Sequence, residues 1–445
     1  MKRWRFLVTL CVIGLGAILQ AGIAQAGIED LLYEKGQITK EEWLKLKADQ
    51  EKEESIVQQR SALKNWFDKI SIRGYVQARY SYLPGDKAIR SEYDNTIRDN
   101  TGFAFRRVRV VISGDITDWL SFYFQPEFAG TVPGTTGDQS NNFAQIRDAY
   151  ADIFLPVPFL FLDKKELRIR AGQSKVPFGF ENLQSSQQRL ALDRSDGINS
   201  AANGERDLGF FVYYTPNETR KLFRKLVDSG LKGSGDYGVL GVGVYNGQTL
   251  NVSERNDNKH IVVHATYPLE LPYGQIIQFG VDAYRGTFNV GAPSGTGLAG
   301  TPTLVNNGNI LDERVGVHFV LYPQPIGFQA EWNWGHGPQL NATRTAIEEG
   351  SIQGGYVQGM YRWVANDWAT LIPYVRYQEY SGGKKHRTNT PFNVVREWEV
   401  GMEWQFTKSL EFTIAYARSR RTDMQTAPYV IREGDIIRTQ LQYNF

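Results

Sequence analysis

From residue 70 to the C-terminus apolar side chains recur at every second position, a period that only extended strands satisfy. ISIRGYVQARYSY (70–82) puts Ile70, Ile72, Gly74, Val76, Ala78 and Tyr80 on one face and Ser71, Arg73, Tyr75, Gln77 and Arg79 on the other. WLSFYFQPEF repeats the pattern, opposing Leu120, Phe122, Phe124 and Phe128 to Ser121, Gln125 and Glu127. Further segments lie near 103–114, 142–154, 165–174, 207–215, 236–246, 259–268, 275–287, 311–322, 325–335, 352–363, 366–380, 393–405, 408–420 and 434–445, sixteen in all. Short connections such as GDITD (114–118), YPQPIG (322–327), VANDW (364–368) and FTKSL (406–410) alternate with long polar ones. The long ones fall near 82–102, 130–141, 175–206, 247–258, 288–310, 336–351, 381–392 and 421–433. Short turns at one end and long loops at the other describe a transmembrane 16-stranded antiparallel β-barrel over residues 69–445, an all-β fold with short turns in the periplasm. The connection 216–235 is too long for such a turn, and the pattern does not account for it.

The chain opens MKRWR, continues FLVTLCVIGLGAIL and then reads AGIAQA, which is the layout of a secretory signal peptide ending at Ala26. Cys11 raises a lipoprotein signal as the alternative, but Leu10 precedes it where a small residue is needed. Cys11 is the only cysteine, so cleavage would remove any disulfide or thiolate-metal chemistry. Losing Lys2, Arg3 and Arg5 turns the formal charge of +2 into −1, which argues against a nucleic-acid partner by bulk charge. No later run is long and apolar enough for a transmembrane helix, whereas 13% aromatic residues and 44 glycines suit barrel strands. A soluble periplasmic β-protein is the weaker alternative. Residues 27–68 are rich in Glu and Lys, with Thr39 and Glu42 spaced as a capping box, and read as a periplasmic helical extension.

The alternation also says where charges point. With apolar residues toward lipid, Arg73, Arg79, Arg107, Arg109, Arg168 and Arg170 face the lumen, as do Arg314, Arg376 and Arg438. Arg106 falls on the other parity, at a bulge or near the membrane interface. Glu127, Asp282, Glu331, Glu397, Glu399 and Glu403 share the inward parity, which suggests opposed basic and acidic walls. Guanidinium groups lining a pore favour small anions. The third long connection, 175–206, is the longest, and a loop of that length in a compact domain is usually functional. Lys175, directly beyond the strand, is the cation best placed to reach the narrowest point.

GQSKVPFGFENLQSSQQRLALDRS (172–195), with FAFRRVRVVISG, RDAYADI and GERDLGF, resembles the phosphate-selective porin O and P family, and the likeness runs from about residue 70 to Phe445. The resemblance implies a trimeric outer-membrane porin whose third loop constricts the channel and whose basic side chains conduct phosphate or other anions. It carries over the paired Arg106 and Arg107, Lys175, and Asp148 of the RDAY segment. The last strand, ending Tyr443-Asn444-Phe445, looks like the C-terminal assembly signal of outer-membrane barrels. No cofactor is implied; the partners are small anions, outer-membrane lipid and lipopolysaccharide, and two further copies of the chain. Three readings compete: a general diffusion porin, a barrel that tethers the envelope, and an outer-membrane enzyme. The last lacks a GxSxG elbow, and His260 and His264 read as lumen histidines, not a metal pair.

Overall fold

The computed structural model describes residues 32–85, 89, 101–131, 141–155, 162–163, 165–204, 206–366, 369–423 and 430–445. The leader expected at 1–26 and most of the connections expected at 82–102 and 130–141 lie outside them. The chain divides into two compact units, Met1–Ile70 and Ser71–Phe445.

The first unit holds helix α1 (Lys40–Phe67). Its start is the capping box: Thr39 N–H donates to Glu42 Oε2 at 2.8 Å, and Glu42 N–H donates to Thr39 Oγ1 at 3.3 Å. The Thr39 backbone bond and then its hydroxyl hold the Glu42 carboxyl below its ordinary pKa. Tyr33 stacks on Trp43, and Lys47 lies over the same indole.

The second unit is a closed barrel of sixteen long strands. In chain order they are β1 (Ile70–Tyr82), β2 (Gly102–Thr117), β3 (Leu120–Thr131), β4 (Asn141–Leu155), β5 (Leu167–Lys175), β6 (Arg206–Tyr214), β7 (Leu240–Tyr245) and β8 (His260–Glu270). After them come β9 (Ile276–Asn289), β10 (Asn309–Leu321), β11 (Ile326–Leu340), β12 (Ala346–Tyr361), β13 (Ala369–Gly383), β14 (Phe392–Gln405), β15 (Leu410–Asp423) and β16 (Val430–Asn444). Thr303–Leu304 adds two parallel pairs to the start of β12, and Trp363–Asn366 extends β12 along β13. Each long strand pairs antiparallel with its sequence neighbours, and β16 returns to β1 from Tyr75↔Asn444 to Tyr82↔Ile437. Phe445 N–H donates to Gly74 O at 3.0 Å and Gly74 N–H to Phe445 O at 2.8 Å, so the last residue takes part in closure. Closure leaves no strand edge, which a wall in contact with lipid requires.

Burial follows the two-residue period. In β8, His260, Val262, His264 and Thr266 are buried while Ile261, Val263 and Tyr267 are exposed. The interior is therefore largely polar and the exterior apolar. Two strand pairs run further than the sequence reading expected. β11 and β12 continue to Leu340 and from Ala346, so the connection near 336–351 shrinks to 341–345, where Asn341 Oδ1 accepts the Thr345 N–H at 3.0 Å. β15 and β16 continue likewise, carrying outward ion pairs Arg420–Glu433 at 3.0 Å and Arg418–Asp435 at 3.1 Å. Ladder pairing persists where the side chains have turned polar, so an apolar criterion ends these strands too early.

Candidate functional site

Three short helices lie between strands: α2 (Phe180–Leu183) and α3 (Asp196–Ala201) in loop 176–205, and α4 (Asn217–Asp228) between β6 and β7. Loop 176–205 is seated among inward-facing side chains. Val176 and Phe178 join Phe211, Tyr213, Tyr245, Val262 and Tyr284 in one buried apolar cluster. Phe180 joins Ile276, Val320 and Tyr322 in a second. Gly179 between them has φ +83° and would place a Cβ 2.4 Å from Glu331 Oε1, so only glycine fits this turn. Its N–H donates to Asp282 Oδ2 at 3.1 Å, and Glu181 N–H donates to Glu331 Oε2 at 3.0 Å. Glu181 accepts from Arg376 at 2.6 Å and from Ser195 N–H at 2.9 Å. Asp196 accepts from Lys384 and Arg421, both at 3.0 Å. Burial alone would raise the Asp196 pKa, but Arg421 and then Lys384 outweigh it and lower it.

On the far side of the loop, arginines from three adjacent strands converge. Arg79 of β1 donates to Asp193 Oδ2 at 2.6 Å, Arg106 of β2 to Asp193 Oδ1 at 2.8 Å and Arg438 of β16 to Oδ2 at 3.0 Å. Arg107 lies 3.9 Å from Asp193 and donates to Gln77 Oε1 at 2.8 Å. Burial would raise the Asp193 pKa; Arg79, Arg106, Arg438 and Arg107 overcome this and hold it well below the usual carboxylate range. The alternation of β2 slips here. Phe103 and Phe105 are exposed, Phe103 against Tyr80, whereas Arg107, Arg109 and Val111 of the same parity are buried. That slip lets Arg106 and Arg107 both point inward. Arg109 pairs with Glu127 and donates to Tyr75 Oη at 2.9 Å and Ser186 Oγ at 3.0 Å.

The remaining basic residues sit away from Asp193. Arg170 is bidentate to Asp152 at 2.7 and 2.8 Å, and Arg168 pairs with Asp236 at 3.0 Å. Arg73 is exposed, 3.5 Å from Tyr123 Oη. Lys175 is buried, and its ammonium donates to the carbonyls of Asn182, Leu183 and Gln184 at 2.9, 3.1 and 2.6 Å. It stitches the base of the loop to the end of α2. Asp148 accepts Arg206 at 2.9 Å, and Gln173 Nε2 donates to Ile146 O at 2.9 Å. RDAY, GQSK and GERDLGF, distant in sequence, thus interlock where the loop leaves and rejoins the wall.

Residues 85–445 match the family model described as phosphate-selective porin O and P. The chain belongs to that family. It is a porin, a channel-forming barrel. Solved structures similar to this porin include the outer-membrane channel DcaP of Acinetobacter baumannii, at 14% identity and TM-score 0.48, covering 84% of this chain and 97% of that one. OmpF of Salmonella typhi in complex with daunomycin has 13% identity and TM-score 0.49, with 84% and 97% covered. An anion-selective porin from Comamonas acidovorans has 11% identity and TM-score 0.47, with 84% and 99% covered. No curated protein matches.

The porin's expected acidic wall is largely paired. Glu397 binds Arg421 at 3.0 Å, Glu399 binds Arg438, and Glu403 binds Lys232. His264 and His318 both face Asp282, and His260 meets Asp312 at 3.1 Å, so these histidines are held by carboxylates. Among the described residues no His, Cys, Asp and Glu group is placed to hold a metal ion. The connection 215–239 is also accounted for. Leu226 and Leu231 pack in the cluster of Phe180, and Gln184 Nε2 donates to Lys232 O at 2.6 Å. Asp236 accepts Arg168 and Arg220 at 3.0 and 2.9 Å, and these two arginines and the Gly238 N–H lower its pKa to about 2 against the effect of burial. Sequence reading missed Asp193 as a hub and Lys232 as a contact of the loop, because each acts through strands remote in sequence.

Proposed function

We propose that this porin passes anions in preference to cations, with phosphate the solute suggested by its family, and that loop 176–205 sets the narrowest cross-section. The observation that carries the reading is the convergence of Arg79, Arg106, Arg107, Arg109 and Arg438 beside the loop. Among the described residues, these five guanidinium groups face three carboxylates, Asp193, Glu127 and Glu399. Planar guanidinium donors gathered in a low-dielectric wall suit oxyanions. Arg168, Arg170 and Asp148 extend the path as paired charges, and Lys175 acts by holding the loop. A general diffusion porin is the second reading, favoured by the pairing of Arg170 with Asp152 and Arg421 with Asp196 and Glu397. The barrel would sit as a homotrimer among outer-membrane lipid and lipopolysaccharide, with α1 in the periplasm.

The test is the reversal potential of the purified porin in a planar bilayer across a KCl gradient, followed by phosphate titration of the chloride current. A potential near the chloride limit, with block by phosphate that weakens in Arg107→Gln, is the expected result. Cation preference or indifference to phosphate would favour the general porin.

A further inference from the structure

Asp193 meets four arginines, Arg79, Arg106, Arg107 and Arg438, and it belongs to the loop, not to the wall. A structural ion pair needs one partner, or one bidentate guanidinium. Here β1, β2 and β16 each send cations to the same two oxygens, and Arg107 leaves its buried Nε without a hydrogen-bond partner among the described residues. Such an arrangement is an oxyanion site whose occupant is a tethered side chain.

The loop does not depend on that occupant for its position. On one side Leu190 and Ala191 pack against Met360, Ile372 and Tyr374. On the other, Ser195 N–H is held by Glu181, and Asp196 by Lys384 and Arg421. The backbone is anchored on both flanks, so the carboxylate can leave the arginines without the loop leaving the lumen.

We propose that Asp193 is a built-in competitor for the permeating anion: it fills the arginine site between passages, and a small oxyanion crosses the constriction by displacing it. This rests on the anion-channel reading. The ligand class is an oxyanion with two or more acceptor oxygens, phosphate or carboxylate, since the arginines already accept a carboxylate in that geometry. Tethering gives Asp193 a high effective concentration, so each solute ion is bound weakly enough to leave. Asp193 thereby trades affinity for throughput and is a specificity-determining residue.

The test compares wild type with Asp193→Asn, which keeps shape and removes charge, and Asp193→Ala, which empties the position. Assembly of each is checked by heat-modifiable gel mobility, and either assembled variant suffices. Inorganic phosphate and acetate, the free counterpart of the lost side chain, are titrated separately against the chloride current. The half-blocking phosphate concentration is expected to fall about tenfold in both variants, the loss of one opposing charge at contact distance. Acetate should block the Ala variant more strongly than wild type, which identifies the carboxylate arm; block by phosphate alone would assign the site to phosphate. Unchanged half-block, or a rise in conductance for both ions with no tighter block, would overturn the proposal and leave Asp193 as a clamp. A wild type that prefers cations would instead overturn the channel reading beneath it.

Discussion

Replacing Lys175 by methionine separates two roles that the lysine could play. The side chain keeps its length and apolar stem but loses the ammonium that bridges Asn182, Leu183 and Gln184 at 2.6–3.1 Å. A hydrogen bond from a charged donor is worth about 1.5–3 kcal/mol, and lumen water would satisfy part of what three carbonyls lose. A net loss of about 2–3 kcal/mol follows, roughly 30- to 150-fold in the equilibrium for local opening of the loop base. The amides of Leu183, Gln184 and Arg189, which donate to Gly179 O, Phe180 O and Ser185 O, report that opening by hydrogen exchange in detergent micelles. They should exchange faster by this factor, while amides of β13 and β14 stay unchanged. Reversal potential measured on the same preparation should move little. Unchanged protection together with a loss of anion selectivity would refute the reasoning, because the ammonium would then act on the passing ion and not on the loop.

Other consequences follow from the same contacts. Gly179→Ala forces a Cβ into Glu331 at a positive φ and should lower the thermal stability of the folded barrel, by about 1–3 kcal/mol for the backbone strain alone. Lys232→Met leaves Glu403 buried without its cation, a loss of about 3–5 kcal/mol, and should expose the 215–239 connection to trypsin without unfolding the strands. Because the Asp236 pKa is lowered to about 2, its clamp on Arg168 and Arg220 is fully present above the ordinary carboxylate value near 3.8 and is lost as pH falls through about 2. Protease resistance of that connection, assayed with pepsin, should therefore hold at pH 4 and fail near pH 2. Deleting Phe445 removes both closure bonds to Gly74 and should lower the yield of heat-modifiable barrel in the outer membrane.

The parity of the strands was legible in the sequence because side-chain direction in a strand depends only on counting. Arg79, Arg107, Arg109, Arg168 and Arg170 all point inward as the count requires. Counting fails in β2, where Phe105 is exposed and Arg107 of the same parity is buried; parity alone left Arg106 open, and its guanidinium lies 2.8 Å from Asp193. It also fails to give depth or partners. Arg168 and Arg170 have the same inward parity as Arg79, yet they end in ion pairs with Asp236 and Asp152, while Arg79 reaches Asp193.

The loop shows why the rest could not be read. Its motif KVPFGFE looks like a row of functional residues, but most of it is a seating device: two aromatic anchors, a glycine turn, and a lysine that ties carbonyls together. The residue with the most charge around it, Asp193, lies twelve positions beyond this stretch, in LALDRS at the far end of the family-like segment. What makes it central is the closure of the barrel, since Arg79 and Arg438 become neighbours only when β16 returns to β1. A group of arginines gathered across the closing seam has no sequence signature shorter than the whole barrel.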